Sequence, residues 1–419
     1  MMEINTVGVI GLGYIGLPTA AIFASKGVKV VGVDVKPSNV EAINRGDVPF
    51  VEPDLATYVA GAVQHGTLRA TDTPEPADAF IIAVPTPFQG DHEPDLSYIE
   101  AAVKAVAPQL QGGELLILES TSPPGATRKM AEWALEARPD LSLDGADGRP
   151  QIHVAHCPER VLPGRVMIEL VTNDRIVGGL TSEAAEMAKE LYAVFCQGEI
   201  LLTDAVTAEM AKLVENSYRD VNIAFANELS LIADKLGVDV WELIRLANHH
   251  PRVNILQPGP GVGGHCIAVD PWFIVDADPE QARLIRTARE VNDSKPQWVI
   301  DQVVAAVEGI ESPTIAALGL AFKANIDDMR ESPARRIVES LAALPTSRIL
   351  VVEPHVSALP AGLSERANVD LVDLDVAVEH ADVAVLLVDH DQFVDNGAVA
   401  SAFARLIDTR GAVSRVSVS

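Results

Sequence analysis

The sequence contains few cysteines, few aromatic residues and few positive charges. Its three cysteines, Cys157, Cys196 and Cys266, show neither paired nor metal-ligand spacing. An odd number of cysteines in a chain of 419 residues argues against a disulfide framework. These features exclude a small disulfide-stabilised secreted protein, and they leave thiol chemistry at one cysteine open.

Long apolar runs are also absent. No uninterrupted apolar stretch is long enough to cross a bilayer, and Met1 to Thr6 contain no basic segment leading into an apolar signal core. We therefore expect a cytoplasmic protein that does not span a membrane. Because about half of the residues are apolar, the chain can form two or three domains with buried cores.

Negative charges greatly outnumber positive ones, with a formal net charge of −27. Such a charge repels phosphate backbones at long range, so we expect no nucleic-acid partner. An anionic ligand must instead meet a local group of cations. The carboxylates are spread along the chain, which suits either a surface kept soluble in concentrated salt or an ordinary acidic enzyme.

Strand-length apolar runs alternate with helical patterns in the first part of the chain. This rhythm predicts repeated βα units and a parallel sheet. The predicted strands are Val7 to Ile10, Val28 to Val33, Ala79 to Val84, Leu115 to Leu118 and Ile152 to Ala155.

A largely helical middle follows, and the βα rhythm returns beyond Pro313. The stretch from Ala205 to Leu236 contains no Gly or Pro and predicts one long helix joining two lobes. We expect an α/β domain over residues 1–200, a central helical domain over 201–308 and a second α/β domain over 309–419. Further predicted elements are helices Ser182 to Phe195, Val240 to Ala247, Glu280 to Val307 and Pro333 to Leu344, and strands Ile315 to Leu318, Arg348 to Val352 and Val383 to Leu387.

A G-x-G-x-x-G set formed by Gly11, Gly13 and Gly16 directly follows the first predicted strand. Such glycines allow a tight turn and close approach of a pyrophosphate to a helix N-terminus. Asp34 ends the next strand, where a carboxylate accepts hydrogen bonds from ribose hydroxyls and repels a 2′-phosphate. The pattern favours NAD over NADP; FAD and a non-binding glycine turn are the alternatives.

Hydroxyl residues follow later strands of the same predicted sheet. Thr86, Thr121 and Thr127 lie in loops at its carboxyl edge, where ligands bind in open α/β sheets. Their hydroxyls are candidates for cofactor contacts. An equally good interpretation is that they cap helices.

A glycine-rich loop, Gly259 to Pro271, carries Cys266 and, four residues later, Asp270. The glycines let a ligand approach the backbone and keep the sulfur accessible. A lone cysteine is more often a small buried apolar residue, but an inert core thiol seldom needs several neighbouring glycines. The loop therefore predicts a reactive thiol.

Nearly the whole chain resembles the UDP-glucose/UDP-mannuronic acid dehydrogenase family. The resemblance implies two Rossmann-like parallel-sheet domains joined by a long central helix and helical core, with NAD at the first domain and UDP at the last. It also implies a homodimer formed through that helix. The matching segments are GLGYIGLP at Gly11 to Pro18, CPER at Cys157 to Arg160, Ala208 to Glu228, GPGVGGHCIAVDP at Gly259 to Pro271, and Gly319 to Pro333.

The activity implied by the resemblance is a four-electron oxidation of a UDP-N-acetylhexosamine at C6, for cell-surface polysaccharide synthesis. UDP-N-acetylmannosamine is the expected substrate, because the segments around Cys157, Asn216 and Cys266 are most similar to family members that act on this sugar. Glucose is disfavoured, because Ile267, Ala268 and Val269 stand where glucose-specific members carry Phe-Pro-Lys. UDP-N-acetylglucosamine and UDP-glucose are alternative substrates. A non-catalytic nucleotide-sugar binding protein and a two-electron β-hydroxyacid dehydrogenase are alternatives of another class.

The family resemblance also implies roles for individual residues. Cys266 forms a thiohemiacetal and then a thioester, Lys212 exchanges protons, Asn216 stands beside it, and Asp270 orders the hydrolytic water. Arg252 reaches the substrate of the neighbouring subunit. The expected cofactor contacts are Gly11, Gly13, Tyr14, Ile15, Gly16, Asp34, Thr86, Thr121, Thr127 and Arg330. The expected substrate contacts are Arg160, Val161, Lys212, Asn216, Arg219, His250, Arg252, Gly263, Phe322 and Lys323.

Two competing interpretations concern residues in these sets. A salt bridge to Asp327 or Asp328 is an alternative role for Arg330. His249 and His250 are adjacent and do not project together from a helix, so we expect no metal site.

Lys212, Asn216 and Arg219 are spaced by four and three residues, which places them on one helical face.

Overall fold

A computed structural model describes residues 4–90, 92–162, 164–264, 266–394, 399 and 402–412. The chain divides into two compact units. One comprises Met1–Glu215 with Trp272–Pro279, and the other Asn216–Pro271 with Glu280–Ser419.

The first unit is built around an eight-stranded sheet. Its strand order is β10-β9-β8-β7-β4-β1-β2-β3, and every pairing is parallel except that of β8 with β9. A short antiparallel ribbon joins β5 and β6. The strands are β1 (Thr6–Ile10), β2 (Lys29–Val33), β3 (Leu68–Thr71), β4 (Ala79–Ile82), β5 (Phe88–Gln89), β6 (Glu93–Pro94), β7 (Leu115–Leu118), β8 (His153–His156), β9 (Arg175–Gly179) and β10 (Ile200–Asp204).

Helices cover both faces of this sheet. Alternate residues of a single strand belong to different cores, since Ile81 packs on one face while Phe80 and Ile82 pack on the other. Burial on both faces is typical of a doubly wound sheet. The helices are α1 (Gly16–Ser25), α2 (Pro37–Asn44), α3 (Leu55–Gln64), α4 (Ser97–Val106), α5 (Ala126–Ala137), α6 (Val166–Thr172), α7 (Ser182–Tyr192) and the long α8 (Ala205–Leu236), which continues into the second unit.

The second unit contains a five-stranded, all-parallel sheet in the order β13-β12-β11-β14-β15. Together the two sheets confirm the predicted α/β class with two Rossmann-like domains. The remaining elements are α9 (Val240–Ala247), α10 (Asp270–Ala277), α11 (Arg283–Ala306), β11 (Thr314–Leu318), α12 (Pro333–Leu341), β12 (Arg348–Val352), β13 (Val369–Leu371), α13 (Leu374–His380), β14 (Val383–Leu386), α14 (Asp391–Val394) and β15 (Leu406–Asp408).

Most predicted elements are present within a few residues of their predicted bounds. Helix α8 has the predicted bounds because its interior has neither Gly nor Pro. Helix α9 begins where the Asp239 carboxylate accepts the backbone N–H groups of Trp241 and Glu242. The short strands β3, β5, β6, β13 and β15 were not predicted. Strands β9 and β10 were also missed, because they lie in the stretch that we expected to be largely helical.

Candidate active site

Three glycines shape the turn between β1 and α1, each for a different reason. Gly11 has φ +94°, and a Cβ there would lie 2.6 Å from the Ala83 carbonyl oxygen. A Cβ at Gly16 would lie 1.9 Å from the Gly11 oxygen. A Cβ at Gly13 would meet nothing within 4 Å, so the fold does not require this glycine. Gly13 instead keeps space open at the N-terminus of α1.

This open space suits the pyrophosphate of a dinucleotide. Helix α1 has no acidic residue in its first turn, so its positive end is not neutralised there. Asp34, half-buried after β2, accepts the Leu12 N–H at 3.2 Å through Oδ2 and the Lys36 N–H at 2.8 Å through Oδ1. The Asn39 amide also donates to Oδ2, at 3.3 Å, and Oδ1 retains an acceptor position for a ribose hydroxyl. The residues therefore fit NAD, with Tyr14 at the same turn exposed and its ring tilted against that of Phe50.

The three threonines occupy different environments at the carboxyl edge of the sheet. Thr86 donates its hydroxyl to the Thr121 carbonyl, and both residues are half-buried. Thr127 is fully buried, and its hydroxyl donates to Glu209 at 2.6 Å. The Glu209 carboxylate also accepts the N–H groups of Gly125 and Thr127, so it caps the N-terminus of α5. Cofactor contact by Thr127 remains a prediction.

A buried polar cluster lies within the first unit, and no pattern in the sequence indicated it. Glu119 accepts the Tyr192 hydroxyl at 3.0 Å and the Thr19 hydroxyl at 3.1 Å. Burial, and then the nearby charge of Glu159, raise the pKa of Glu119 to about 8. Arg175 pairs with Glu159 at 2.9 Å. With Glu119 protonated, the cluster holds one cation and one anion and is neutral.

The CPER segment connects this cluster to a predicted substrate residue. The Arg160 N–H donates to Glu159 at 2.7 Å, and the Arg160 guanidinium pairs with Glu215 at 2.9 Å. Burial raises the pKa of the Cys157 thiol to about 12, so this cysteine is a poor nucleophile. Val161 is half-buried beside Arg160.

In the second unit, the glycines of the thiol loop permit close contacts. A Cβ at Gly263 would lie 2.6 Å from the Glu331 carbonyl oxygen and 3.0 Å from Phe322 Cβ. A Cβ at Gly264, which has φ +89°, would lie 3.1 Å from the Phe322 ring. Cys266 follows and is exposed. The loop thus packs tightly on the Phe322 segment and presents its thiol to solvent.

Three of the four predicted catalytic residues are linked by hydrogen bonds in this unit. The Asp270 N–H donates to the Cys266 carbonyl at 2.8 Å, which closes one turn between the two residues. The Asn216 side chain on α8 donates to Asp270 Oδ2 at 2.5 Å. Asp270 is 2% exposed. Lys212 lies one turn before Asn216 on the same helix and is nearly buried.

A second buried network anchors the start of the thiol loop. Asn227 accepts the Gly259 N–H at 2.9 Å and donates to Asn292 at 2.8 Å. Asn292 donates to Asp220 at 2.8 Å, and Arg289 pairs with Asp220 at 2.6 Å. Sequence reasoning missed these residues because polar residues on a helix are usually solvated.

The other predicted contacts in the second unit lie at the surface. Arg219, His250, Arg252 and Lys323 are exposed. The Arg330 guanidinium pairs with Asp328 at 2.6 Å, as its alternative interpretation proposed. Its predicted cofactor contact remains a prediction.

Comparison with known proteins identifies the family to which the chain belongs. Three models of the UDP-glucose/GDP-mannose dehydrogenase family match the chain: the NAD binding domain at residues 5–196, the central domain at 206–294 and the UDP binding domain at 316–415. The chain therefore belongs to this family. It is an NAD-dependent oxidoreductase that acts on a nucleotide sugar, which confirms the expected cofactor and enzyme class.

Two relatives and one solved structure are similar to this chain over nearly its whole length. The chain is 60% identical over 406 residues to the UDP-N-acetyl-D-mannosamine dehydrogenase of Escherichia coli, covering 94% of this chain and 96% of the relative. It is 58% identical over 413 residues to the NDP-N-acetyl-D-galactosaminuronic acid dehydrogenase of Ralstonia nicotianae, covering 98% and 96%. A solved UDP-D-ManNAc dehydrogenase from Pyrococcus horikoshii is similar with a TM-score of 0.86 at 40% identity, covering 97% and 96%.

Two further observations concern the described part of the chain. None of its helices combines the length and the apolar character that a membrane span requires. Within these same ranges, no group of three or more His, Cys, Asp or Glu side chains is arranged to hold a metal ion.

Proposed function

We propose that this enzyme oxidises UDP-N-acetyl-D-mannosamine at C6 to UDP-N-acetyl-D-mannosaminuronate, with two NAD reduced for each sugar. The observation that carries the proposal is the hydrogen-bonded set of Cys266, Asp270 and Asn216 at the glycine loop. A protein that only binds nucleotide sugars has no use for an exposed cysteine one turn before a buried carboxylate. The relative from Escherichia coli supports the choice of sugar.

The thiol accounts for two oxidations at one carbon. Bound NAD accepts one hydride in each oxidation. After the first, the Cys266 thiolate adds to the C6 aldehyde and forms a C–S bond, giving a thiohemiacetal. Loss of the second hydride from C6 gives a thioester, and attack by water breaks the C–S bond, releasing the acid and the thiolate.

Neighbouring residues of the chain handle protons and orient groups. Lys212 takes the proton of the C6 hydroxyl and then stabilises the negative oxygen that forms when the thiolate adds. Asp270 orders the hydrolytic water, and its carboxylate is held in place by the Asn216 amide. The substrate phosphates need cations in an acidic protein, and the exposed Arg219 and Arg252 supply them.

A second candidate substrate differs in the configuration of the sugar. The relative from Ralstonia nicotianae, 58% identical, is named for N-acetylgalactosaminuronic acid, so UDP-N-acetylgalactosamine belongs in the test. UDP-N-acetylglucosamine and UDP-glucose complete the set. Comparison of kcat/KM for the four sugars decides the substrate, and a clear preference for any sugar other than UDP-N-acetylmannosamine would refute the assignment.

The mechanism is tested by the yield of NADH. We expect two NADH for each UDP-N-acetylmannosamine consumed and the uronic acid as product, because the aldehyde is held on Cys266 until the second oxidation. Cys266→Ser should abolish acid formation while the Kd for UDP stays within about twofold of wild type. One NADH per sugar with free aldehyde accumulating would refute the thioester mechanism. Cys196→Ser, at a half-buried cysteine, is the matched control and should leave the yield at two.

We also propose that the active unit is a homodimer. Helix α8 exposes Tyr218, Phe225 and Ile232 at seven-residue intervals, with Leu236 after them. Exposed fractions of 72%, 54%, 47% and 71% on one helical stripe are large for apolar side chains facing water. A two-fold partner helix covers such a stripe, and Arg252 then reaches the substrate of the partner.

Subunit mixing tests this arrangement. The inactive variants Cys266→Ser and Arg252→Ala are combined under conditions that allow subunit exchange. If Arg252 acts in trans, each mixed dimer contains one site with both substitutions and one with neither, so activity returns in part. Exchange without any recovery of activity would show that Arg252 serves its own chain.

We also propose a separate role for each of the three domains predicted from the sequence. Residues 1–200 bind NAD, residues 201–308 form the dimer and carry the thiol loop, and residues 309–419 bind the UDP moiety. The three matching family models lie within these ranges. We place the reaction in the cytoplasm, where it supplies an activated uronic acid for cell-surface polysaccharide synthesis.

A further inference from the structure

The two sheets share a turn that is built in the same way. In the first unit, the Gly11 N–H donates to the Val33 carbonyl at 2.8 Å, and the next N–H donates to the Asp34 carboxylate. In the second, the Gly319 N–H donates to the Val352 carbonyl at 2.9 Å, and the next N–H donates to the Glu353 carboxylate at 2.7 Å. Gly11 and Gly319 have φ +94° and +97°. Glu353 thus occupies the position of a ribose-binding acid.

Glu353, unlike Asp34, is closed to a ligand. It is 4% exposed, whereas Asp34 is half-buried. Its Oε2 accepts the N–H groups of Leu320 and Ala321, at 2.7 and 3.1 Å, and its Oε1 accepts the His355 N–H at 3.2 Å. These bonds are internal to the protein. The carboxylate therefore holds the backbone that follows β11 and does not meet a ribose.

A fully buried histidine completes this arrangement. His390 Nδ1 accepts the backbone N–H of Asn325 at 2.9 Å, so Nδ1 carries no proton. The proton is then on Nε2, which donates to Glu353 Oε2 at 3.2 Å. Burial acts to raise the pKa of Glu353, but hydrogen bonds from His390 and from the Leu320 N–H outweigh it and lower the pKa.

Between the backbone groups held by Glu353 and the one held by His390 lie Phe322 and Lys323, two of the predicted substrate contacts. Leu320 and Ala321 are held by Glu353, and Asn325 is held by His390. Asn325 has φ +62°, an unfavourable value for a residue other than glycine, so its conformation depends on such contacts. Phe322, between the attachments, lies against Gly263 and Gly264 of the thiol loop.

We propose that His390 is a positioning residue that, together with Glu353, fixes the Leu320–Asn325 segment so that Phe322 and Lys323 meet the nucleotide sugar. The inference deepens the proposed function and depends on UDP binding by this segment. His390 takes no chemical part in the oxidation. Its contribution is to hold the Asn325 N–H, which would otherwise lose its acceptor and release the strained turn.

The test compares a substitution of His390 that removes both hydrogen bonds with two substitutions that each keep one of them. His390→Phe removes both and keeps a ring against Phe393. His390→Asn places an amide oxygen near the position of Nδ1, and His390→Gln places an amide N–H near the position of Nε2. His355→Phe is the matched control, because Phe keeps a ring beside that of His390, 4.8 Å away between ring centroids, and the backbone N–H to Glu353 remains.

Calorimetric titration with UDP and, separately, with NAD gives the readout. We expect His390→Phe to raise the Kd for UDP roughly tenfold, the effect of about one lost buried hydrogen bond, while the Kd for NAD stays within about twofold. His390→Asn should recover most of the UDP affinity and His390→Gln little. The control should match the wild type.

The outcomes separate this inference from the proposed function. Wild-type protein that does not bind UDP would refute the proposed function itself. Wild-type UDP affinity in His390→Phe, or better recovery by Gln than by Asn, would overturn the positioning role alone. A parallel loss of UDP affinity, NAD affinity and thermal midpoint would assign His390 a purely structural role. If His390→Phe does not fold, the comparison of Asn with Gln decides.

Discussion

Glu119 makes the stability of the first unit depend on pH, and Glu119→Gln should abolish that dependence. The carboxyl is 1% exposed and bonded to the hydroxyls of Tyr192 and Thr19. Its pKa is about 8 in the folded protein against an ordinary value of 4.5. A neutral glutamine has the shape of the protonated acid and keeps a partner for both hydroxyls.

The sign and size of the effect follow from this difference. The folded state binds the proton more tightly than the unfolded state, so the contribution to stability is complete below pH 4.5 and is lost as the pH rises through about 8. Each tenfold in proton affinity corresponds to about 1.4 kcal/mol, so the loss of stability between pH 5 and pH 8 is roughly 3–4 kcal/mol. For a unit of this size, that free energy corresponds to roughly 10 °C in thermal midpoint.

Differential scanning calorimetry at pH 5, 6, 7 and 8 is the assay. Wild type and Glu119→Gln should melt within a few degrees of each other at pH 5, and the variant should melt higher at pH 8. Tyr192→Phe controls for the loss of one hydrogen bond and should keep the wild-type dependence on pH. Midpoints of wild type and Glu119→Gln that fall in parallel would show that Glu119 is ionised in the folded protein, and the reasoning would fail.

Two further substitutions test the cofactor turn and the helical core. Gly13→Ala should fold with wild-type stability, since its Cβ meets nothing within 4 Å, yet weaken NAD binding at least roughly tenfold by occupying the pyrophosphate space. Fluorescence titration with NAD measures this, and unchanged affinity would move the cofactor away from the turn. Asp220→Ala removes the buried partner of the Arg289 guanidinium, leaves that buried charge with only the more exposed Asp293, and should cost about 3–5 kcal/mol in urea unfolding. Asp293→Ala, which removes a more exposed partner of Arg289, should cost under about 1 kcal/mol; equal costs would contradict this account.

The sequence predicted much of the cofactor turn because local rules govern it. A glycine that needs positive φ, a helix that opens after a strand and an acid at the end of the next strand are all readable from spacing, and the structure has each of them. The bounds of α8 followed from the absence of Gly and Pro. The proximity of Cys266 and Asp270 followed from their separation of four residues.

The unpredicted strands show where such rules stop. Strands β9 and β10 are short, and apolar runs of that length fit helix or strand equally well. Their neighbours in the sheet decided between the two, since β9 pairs with β8 and with β10. The antiparallel β8–β9 pairing also breaks the βα rhythm on which the prediction relied.

What the sequence determined by itself is therefore the pair of α/β sheets, the glycine turn with Asp34 and the glycine loop that carries Cys266, because propensity and spacing act over a few residues. Only the tertiary structure decided which polar residues are buried together. Glu119 and Arg175 are 56 positions apart in the chain, and Glu353 and His390 are 37 apart. Their interactions arise from the folding of separate strands into one sheet, where loss of water makes partners obligatory for polar groups. No local pattern in the chain encodes that requirement.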